Sequence, residues 1–154
     1  WEGRFQSQAL LDEAAVLACM VYVDLNPVRA NAADDIEDSD FTSIQRRCKN
    51  QSEEEPIEAI NKSTSKTTPF SKTLLSDYIS LIRWTAIQQA HMRRGIQYDV
   101  TRCLQNNHTN TTHWFSDYMP LAKTWQRAVG SGEALSEYAR SINQCWIRRR
   151  SRLV

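Results

Sequence analysis

Tyr22 and Asn26, in the run Tyr22-Val-Asp-Leu-Asn26-Pro27-Val-Arg29-Ala30, set a phenol and an amide four residues apart. On a helix such a pair shares one face, so a nucleophilic oxygen and a small oxygen ligand can belong to one site. A tyrosine oxygen can attack a phosphodiester and keep the bond energy as a phosphotyrosine ester. A free phenol ionises only near pH ~10, so this chemistry calls for a divalent metal to polarise the phosphate. Arg29 is placed either to contact phosphate or to satisfy the preceding helix's final carbonyls. By spacing alone the same residues also read as a half-buried core tyrosine and an Asn-Pro helix terminator. The two roles of Asn26 are compatible.

The element that must carry this pair is a helix over residues 8–26. Leu10, Leu11, Ala14, Leu17, Met20, Val21 and Leu25 recur at spacings of three and four. Asp12 and Glu13 sit early, where negative charge suits the helix dipole, and Asn26-Pro27 is expected to stop it. An acidic loop over 31–40 follows. Ser39 or Asp40 is expected to cap a short helix containing Phe41, Ile44 and Arg46. Residues 49–72 turn polar, and Lys62-Ser-Thr-Ser-Lys-Thr-Thr-Pro-Phe70 is the expected linker.

Beyond it the pattern predicts a helix from Leu74 that stops at Gly95, with Ser76 or Asp77 in its first turn and basic residues in its last. A short helix over 98–106 comes next. Another, capped by Thr111 or Thr112, carries Trp114, Phe115, Tyr118, Leu121, Trp125 and Ala128 and ends near Gly130. The last runs from Glu133 to about Arg150. Almost no strand periodicity is visible, so the fold expected is all-α. The division expected is 1–48, a polar linker over 49–73, and a basic helical extension over 74–154.

Composition narrows the class. The 154 residues suit one domain or a small piece plus a helical module. No apolar run approaches the ~18 residues of a membrane helix. The start at Trp1 lacks the basic and apolar regions of a signal peptide. Cys19, Cys48, Cys103 and Cys145 form no CxxC pair, which favours scattered reduced thiols in a cytoplasmic protein over a zinc or disulfide scaffold. The formal charge of +1 hides an asymmetry: residues 1–60 hold 13 acidic and 5 basic side chains, and residues 61–154 hold 5 and 14. A net of −8 against +9 between the halves is a hint of nucleic-acid contact.

Trp1, Arg4-Phe5, Ser7, Tyr22, Asn26-Pro27-Val28-Arg29-Ala30 and Ser43 in Phe41-Thr-Ser43-Ile together resemble the tyrosine-helix region of the HUH-class, single-strand DNA transposases. That family includes the REP-associated tyrosine transposases and related insertion-sequence transposases. It commonly has Gly where Asn31 stands; Asn tolerates a left-handed backbone, so the departure is mild. A looser similarity to the helical extension of longer members runs through Asp77-Tyr78, Leu81, Trp84-Thr85 and Arg94-Gly95-Ile96.

The resemblance implies that Tyr22 is the nucleophile and Asn26 the polar partner of a metal-bound site. It implies a 5′-phosphotyrosine intermediate on single-stranded, often hairpin-bearing DNA. It also implies that the chain is the C-terminal portion of a transposase, with the α/β histidine domain lying before Trp1. The tyrosine helix and a small helical bundle would then make up the present chain. Magnesium or manganese is the cofactor implied for the full-length enzyme, with none expected on this portion alone. A homodimer, a cytoplasmic and nucleoid-associated location, and an exposed apolar surface on Trp1–Leu25 are further expectations. The alternative is a non-catalytic helical module that binds nucleic acid or docks a protein.

His91, His108 and His113 are the three histidines, and no His-x-His pair exists. His108 and His113 read as surface or capping residues without a carboxylate close by. Arg148-Arg149-Arg150 with Arg152 is the sharpest basic cluster, either a DNA contact or a frayed, solvated end. Arg93-Arg94, and Lys123 with Arg127, are weaker phosphate candidates. Trp84, Trp114, Trp125 and Trp146 read as core residues first and as base-stacking platforms second.

Overall fold

The computed structural model describes residues 7–40, 42–50, 57, 73–89, 98–119 and 126–145. The described residues are mostly helical, with one two-residue parallel ladder among them. The first strand, β1 (Ala9–Leu10), leads into α1 (Glu13–Arg29). A 3-10 turn (Ile36–Asp38) precedes α2 (Ser43–Asn50). Then come α3 (Leu75–Gln89) and α4 (Tyr98–Asn106). The short α5 (Thr111–His113) runs on as a π-helical turn over Trp114–Tyr118. The second strand, β2 (Ala128–Val129), and α6 (Gly132–Ser141) complete the order.

Helix α1 begins later than its apolar spacing suggests, because Asp12 caps it. The Asp12 backbone is extended and its Oδ1 accepts the Ala15 N–H at 2.8 Å. Leu10 pairs instead in β1, in register with Val129, while Ala9 faces Ala128. The ladder departs from the all-α expectation, since two residues are too short to show a period in the sequence. The other Asp12 oxygen accepts the Ser131 N–H at 2.6 Å and the Tyr118 hydroxyl at 3.3 Å. One carboxylate therefore starts α1 and clasps residues more than a hundred positions away. A Cβ on Gly130 would come within 2.9 Å of Leu11 Cβ and 3.1 Å of Asp12 Oδ2, so this clasp closes only over a glycine.

Helix α1 also ends later than expected. Pro27 lies inside it rather than stopping it, and the helix continues to Arg29. Proline cannot donate to the carbonyl one turn back, but near the C-terminus that loss is confined to one bond. The stop comes from Asn31, at φ 54°. Its N–H reaches the Val28 carbonyl at 3.1 Å, and the Ala32 N–H reaches the Pro27 carbonyl at 2.8 Å. This is a Schellman cap, and Asn31 occupies the left-handed position where glycine is usual. His108 (φ 56°) and Asn143 (φ 55°) close α4 and α6 with the same bond pattern. The last helix therefore ends at Ser141 and not near Arg150.

Other boundaries differ from expectation for local reasons. Thr42, not Ser39 or Asp40, caps α2, its Oγ1 accepting the Gln45 N–H. Ser39 and Asp35 organise the 3-10 turn before it. Asn110, not Thr111 or Thr112, caps α5 through its side-chain oxygen and the His113 N–H. Ala128 lies in β2 and not in a helix continuing from Trp114. Gly95 and the linker stretch Lys62–Phe70 lie outside the described residues.

One apolar core gathers α1, α2, α3, α4 and the π turn. Its largest buried side chains include Leu17, Leu25, Ile44, Tyr78, Leu81, Ile82, Leu104 and Trp114. Ile57 joins that core, and its N–H donates to the Thr73 carbonyl at 2.8 Å. Residues on both sides of the polar stretch therefore pack together. No helix among the described residues is long and apolar enough to cross a membrane.

Candidate functional site

The rotation of α1 about its axis decides which residues face out, and a buried carboxylate fixes that rotation. Asp24 is 1% exposed. It accepts the Tyr78 hydroxyl of α3 at 2.6 Å and the Ser43 hydroxyl of α2 at 2.7 Å, and Arg47 of α2 approaches to 3.8 Å. The Arg47 guanidinium also lies over the Tyr78 ring at 6.0 Å. A buried charge is tolerated only with such partners. Burial, with the Asp24 charge beside it, pushes the Tyr78 phenol well above its ordinary range, so Tyr78 stays a donor. Three helices are thus joined at Asp24.

Asp24 lies about 200° around the helix from Tyr22 at 100° per residue. Anchoring Asp24 inward therefore turns Tyr22, Asn26 and Arg29 toward the opposite side. Tyr22 is half-buried at the edge of the apolar stripe; Asn26 and Arg29 are exposed. The Arg29 guanidinium carbon lies 5.4 Å from the centre of the Tyr22 ring, a cation–π contact. A phenol, an amide and a guanidinium thus follow one another at i, i+4 and i+7 along one accessible face. Val23, beside them, is 54% exposed and is the exposed large apolar residue among those described.

The helix-terminator reading of Asn26 is corrected by the path of α1. The Asn26 carbonyl accepts the Ala30 N–H at 3.0 Å inside a continuing helix. Arg29 is not needed at the helix end either, because the carbonyls of Asn26, Pro27 and Val28 are taken by the N–H groups of Ala30, Ala32 and Asn31.

The other tyrosines whose side chains are described differ from Tyr22. Tyr78 and Tyr118 are buried, with their hydroxyls donated to Asp24 and Asp12. Tyr138 is half-buried on α6, with Ile142 one turn on. Tyr22 is partly exposed, has an amide one turn on and carries Arg29 over its ring, whereas the ring with Arg47 over it, Tyr78, is buried.

His108 is a capping residue in the left-handed position. His113 does have a carboxylate partner, contrary to the sequence reading: Asp117, four residues on, meets its Nδ1 at 2.8 Å. Trp84 and Trp114 are buried, as their helical register implies, with the Trp114 indole donating to Thr85 and Trp84 tilted against Phe115. Arg93, Arg94, Lys123, Arg148, Arg149, Arg150 and Arg152 lie outside the described residues, as do Trp125 and Trp146. All four cysteines are free thiols.

The buried ionic contacts left no motif in the sequence. Asp77 and Tyr78, adjacent on α3, point to different partners. Tyr78 ties α3 to α1 through Asp24, and Asp77, fully buried, takes a two-pronged contact from Arg102 of α4. The available signal was register: Asp24 sits between Val21 and Leu25 in an apolar stripe, where a carboxylate must find donors. Among the described residues, no group of three or more His, Cys, Asp or Glu side chains could hold a metal ion. Compared with protein-family models, curated proteins and solved structures, the chain matches none of them.

Proposed function

We propose that α1 is the nucleophile helix of a HUH-class tyrosine transposase that cleaves and rejoins single-stranded DNA, followed by a small helical bundle that orients it. The observation that carries this reading is the accessible Tyr22–Asn26–Arg29 face, turned outward by the buried Asp24 contacts. The resemblance of the flanking residues supplies the reaction. The Tyr22 oxygen forms a bond to phosphorus while the bond from phosphorus to the 3′ oxygen breaks. The 3′ oxygen leaves with the electron pair and takes up a proton, and the phenolic proton passes to solvent. The product is a 5′-phosphotyrosine ester, reversed when a second 3′ hydroxyl attacks. No oxidation or reduction is involved.

Magnesium or manganese in such a site takes about six oxygen or nitrogen ligands. Among the described residues of this chain, Asn26 offers one amide oxygen beside Tyr22, and that donor set does not by itself fit a metal ion. The histidine ligands would come from the family's α/β domain. This chain's share is the nucleophile, its amide neighbour and the surface that meets the strand.

The test is an adduct assay with hairpin-bearing single-stranded DNA and manganese, using the full-length protein. Wild type is expected to give a denaturation-resistant protein–DNA band, and Tyr22→Phe none, with the same melting temperature. Asn26→Ala is expected to slow the band by about 10²-fold. A Tyr22→Phe protein that still forms the adduct contradicts the proposal. Salt-sensitive DNA binding without any adduct favours the binding-module alternative.

A further inference from the structure

We propose that Arg29 delivers the scissile phosphate to Tyr22, a role that rests on the nucleophile reading above and adds a substrate-contacting residue to it. The guanidinium is exposed, yet it is held 5.4 Å from the centre of the Tyr22 ring. The ordinary occupations of an arginine at a helix end are taken by other groups. The last carbonyls of α1 are satisfied by backbone N–H groups, and among the described residues no carboxylate forms an ion pair with it.

The separations suit a phosphate between the two side chains. A guanidinium N–H holds a phosphate oxygen at about 2.9 Å. A phosphorus atom in position for attack lies about 3–3.5 Å from its nucleophile. A guanidinium lying over the phenol ring can therefore grip a non-bridging oxygen while the phosphorus faces the Tyr22 oxygen. Arginine's planar fork matches two phosphate oxygens at once, and negative charge grows on those oxygens during transfer, where fixed donors act most strongly. Stacking on the ring also restricts the side chain before DNA arrives, which lowers the ordering needed on binding.

The experiment pairs a side-chain change with a substrate change. A single neutral methylphosphonate is scanned along a hairpin-bearing single-stranded oligonucleotide, and wild type, Arg29→Met, Arg29→Lys and Tyr22→Phe are compared for binding and for adduct rate. At one position the methylphosphonate is expected to weaken wild-type binding by about tenfold and to leave Arg29→Met unchanged. On the all-phosphodiester strand, Arg29→Met is expected to slow the adduct by about 10²-fold, with Arg29→Lys intermediate. Equal losses for wild type and Arg29→Met at every methylphosphonate position would overturn the proposal, because a merely structural role is blind to substrate charge. The binding comparison needs no turnover, so it decides whether Arg29 grips one phosphate even where no adduct forms. Persistence of the adduct in Tyr22→Phe instead overturns the nucleophile reading, and the Arg29 role with it.

Discussion

Asp24 shows how a single buried side chain fixes which face a helix turns outward. Its two oxygens receive hydroxyls from Tyr78 and Ser43, and each donor comes from a different helix. Removing the Tyr78 hydroxyl leaves a buried carboxylate short of one partner, a change that costs about 1–3 kcal/mol. Tyr78→Phe is therefore expected to lower the unfolding free energy by that amount in a denaturant titration, with the packing area nearly unchanged. A Tyr78→Phe protein as stable as wild type would show that the hydroxyl adds nothing to the core. That Tyr22, Asn26 and Arg29 share one face of a helix was legible in the sequence because their spacing is local. Asp24 was not, because its partners lie 19 and 54 residues away and no local pattern names them.

Helix ends decide how α1 presents its outer face. The apolar spacing located every long helix described here, but the boundaries moved wherever a cap or a left-handed residue intervened. Asp12 shortened α1 at its start, Asn31 lengthened it beyond Pro27, and Asn143 ended α6 at Ser141. Such stops depend on one residue's φ and so leave little periodic trace. Asn31 carries the end of the turn that holds Arg29. Asn31→Val is expected to cost about 1–2 kcal/mol, since a branched side chain resists the left-handed region. Asn31→Gly is expected to stay within about 0.5 kcal/mol of wild type, measured by thermal melting. Equal losses in both variants would remove the left-handed cap from the account. The two-residue ladder was illegible for a different reason: Ala9–Leu10 and Ala128–Val129 pair across almost the whole chain.

At the scale of the whole molecule, one core joins the two halves that the charge pattern separates. That core also contains buried protons. Burial, reinforced by the Asp77 charge and opposed by Arg102, pushes the Cys103 thiol up to about 12 from 9.0. Tyr78 shifts in the same direction, and burial raises Cys19 and Cys48 as well. A raised folded value means that the folded chain keeps a proton the unfolded chain gives up. The stability from Cys103 is then fully present below about pH 9 and declines as pH rises toward 12, by at most ~1.4 kcal/mol per unit. Cys103→Ala is expected to lose stability at neutral pH but to show a shallower decline between pH 9 and 11 in denaturant titrations. Identical slopes in the two proteins would contradict that assignment.

The central claim is that Tyr22 forms the covalent bond to DNA, and the most direct measurement is to locate that bond. The adduct trapped with hairpin-bearing single-stranded DNA would be trimmed with nuclease, digested with protease and sequenced by tandem mass spectrometry. The account predicts a nucleotide mass on Tyr22, within the peptide that ends at Arg29. A nucleotide on Tyr138, on another residue, or on no residue of α1 would contradict it.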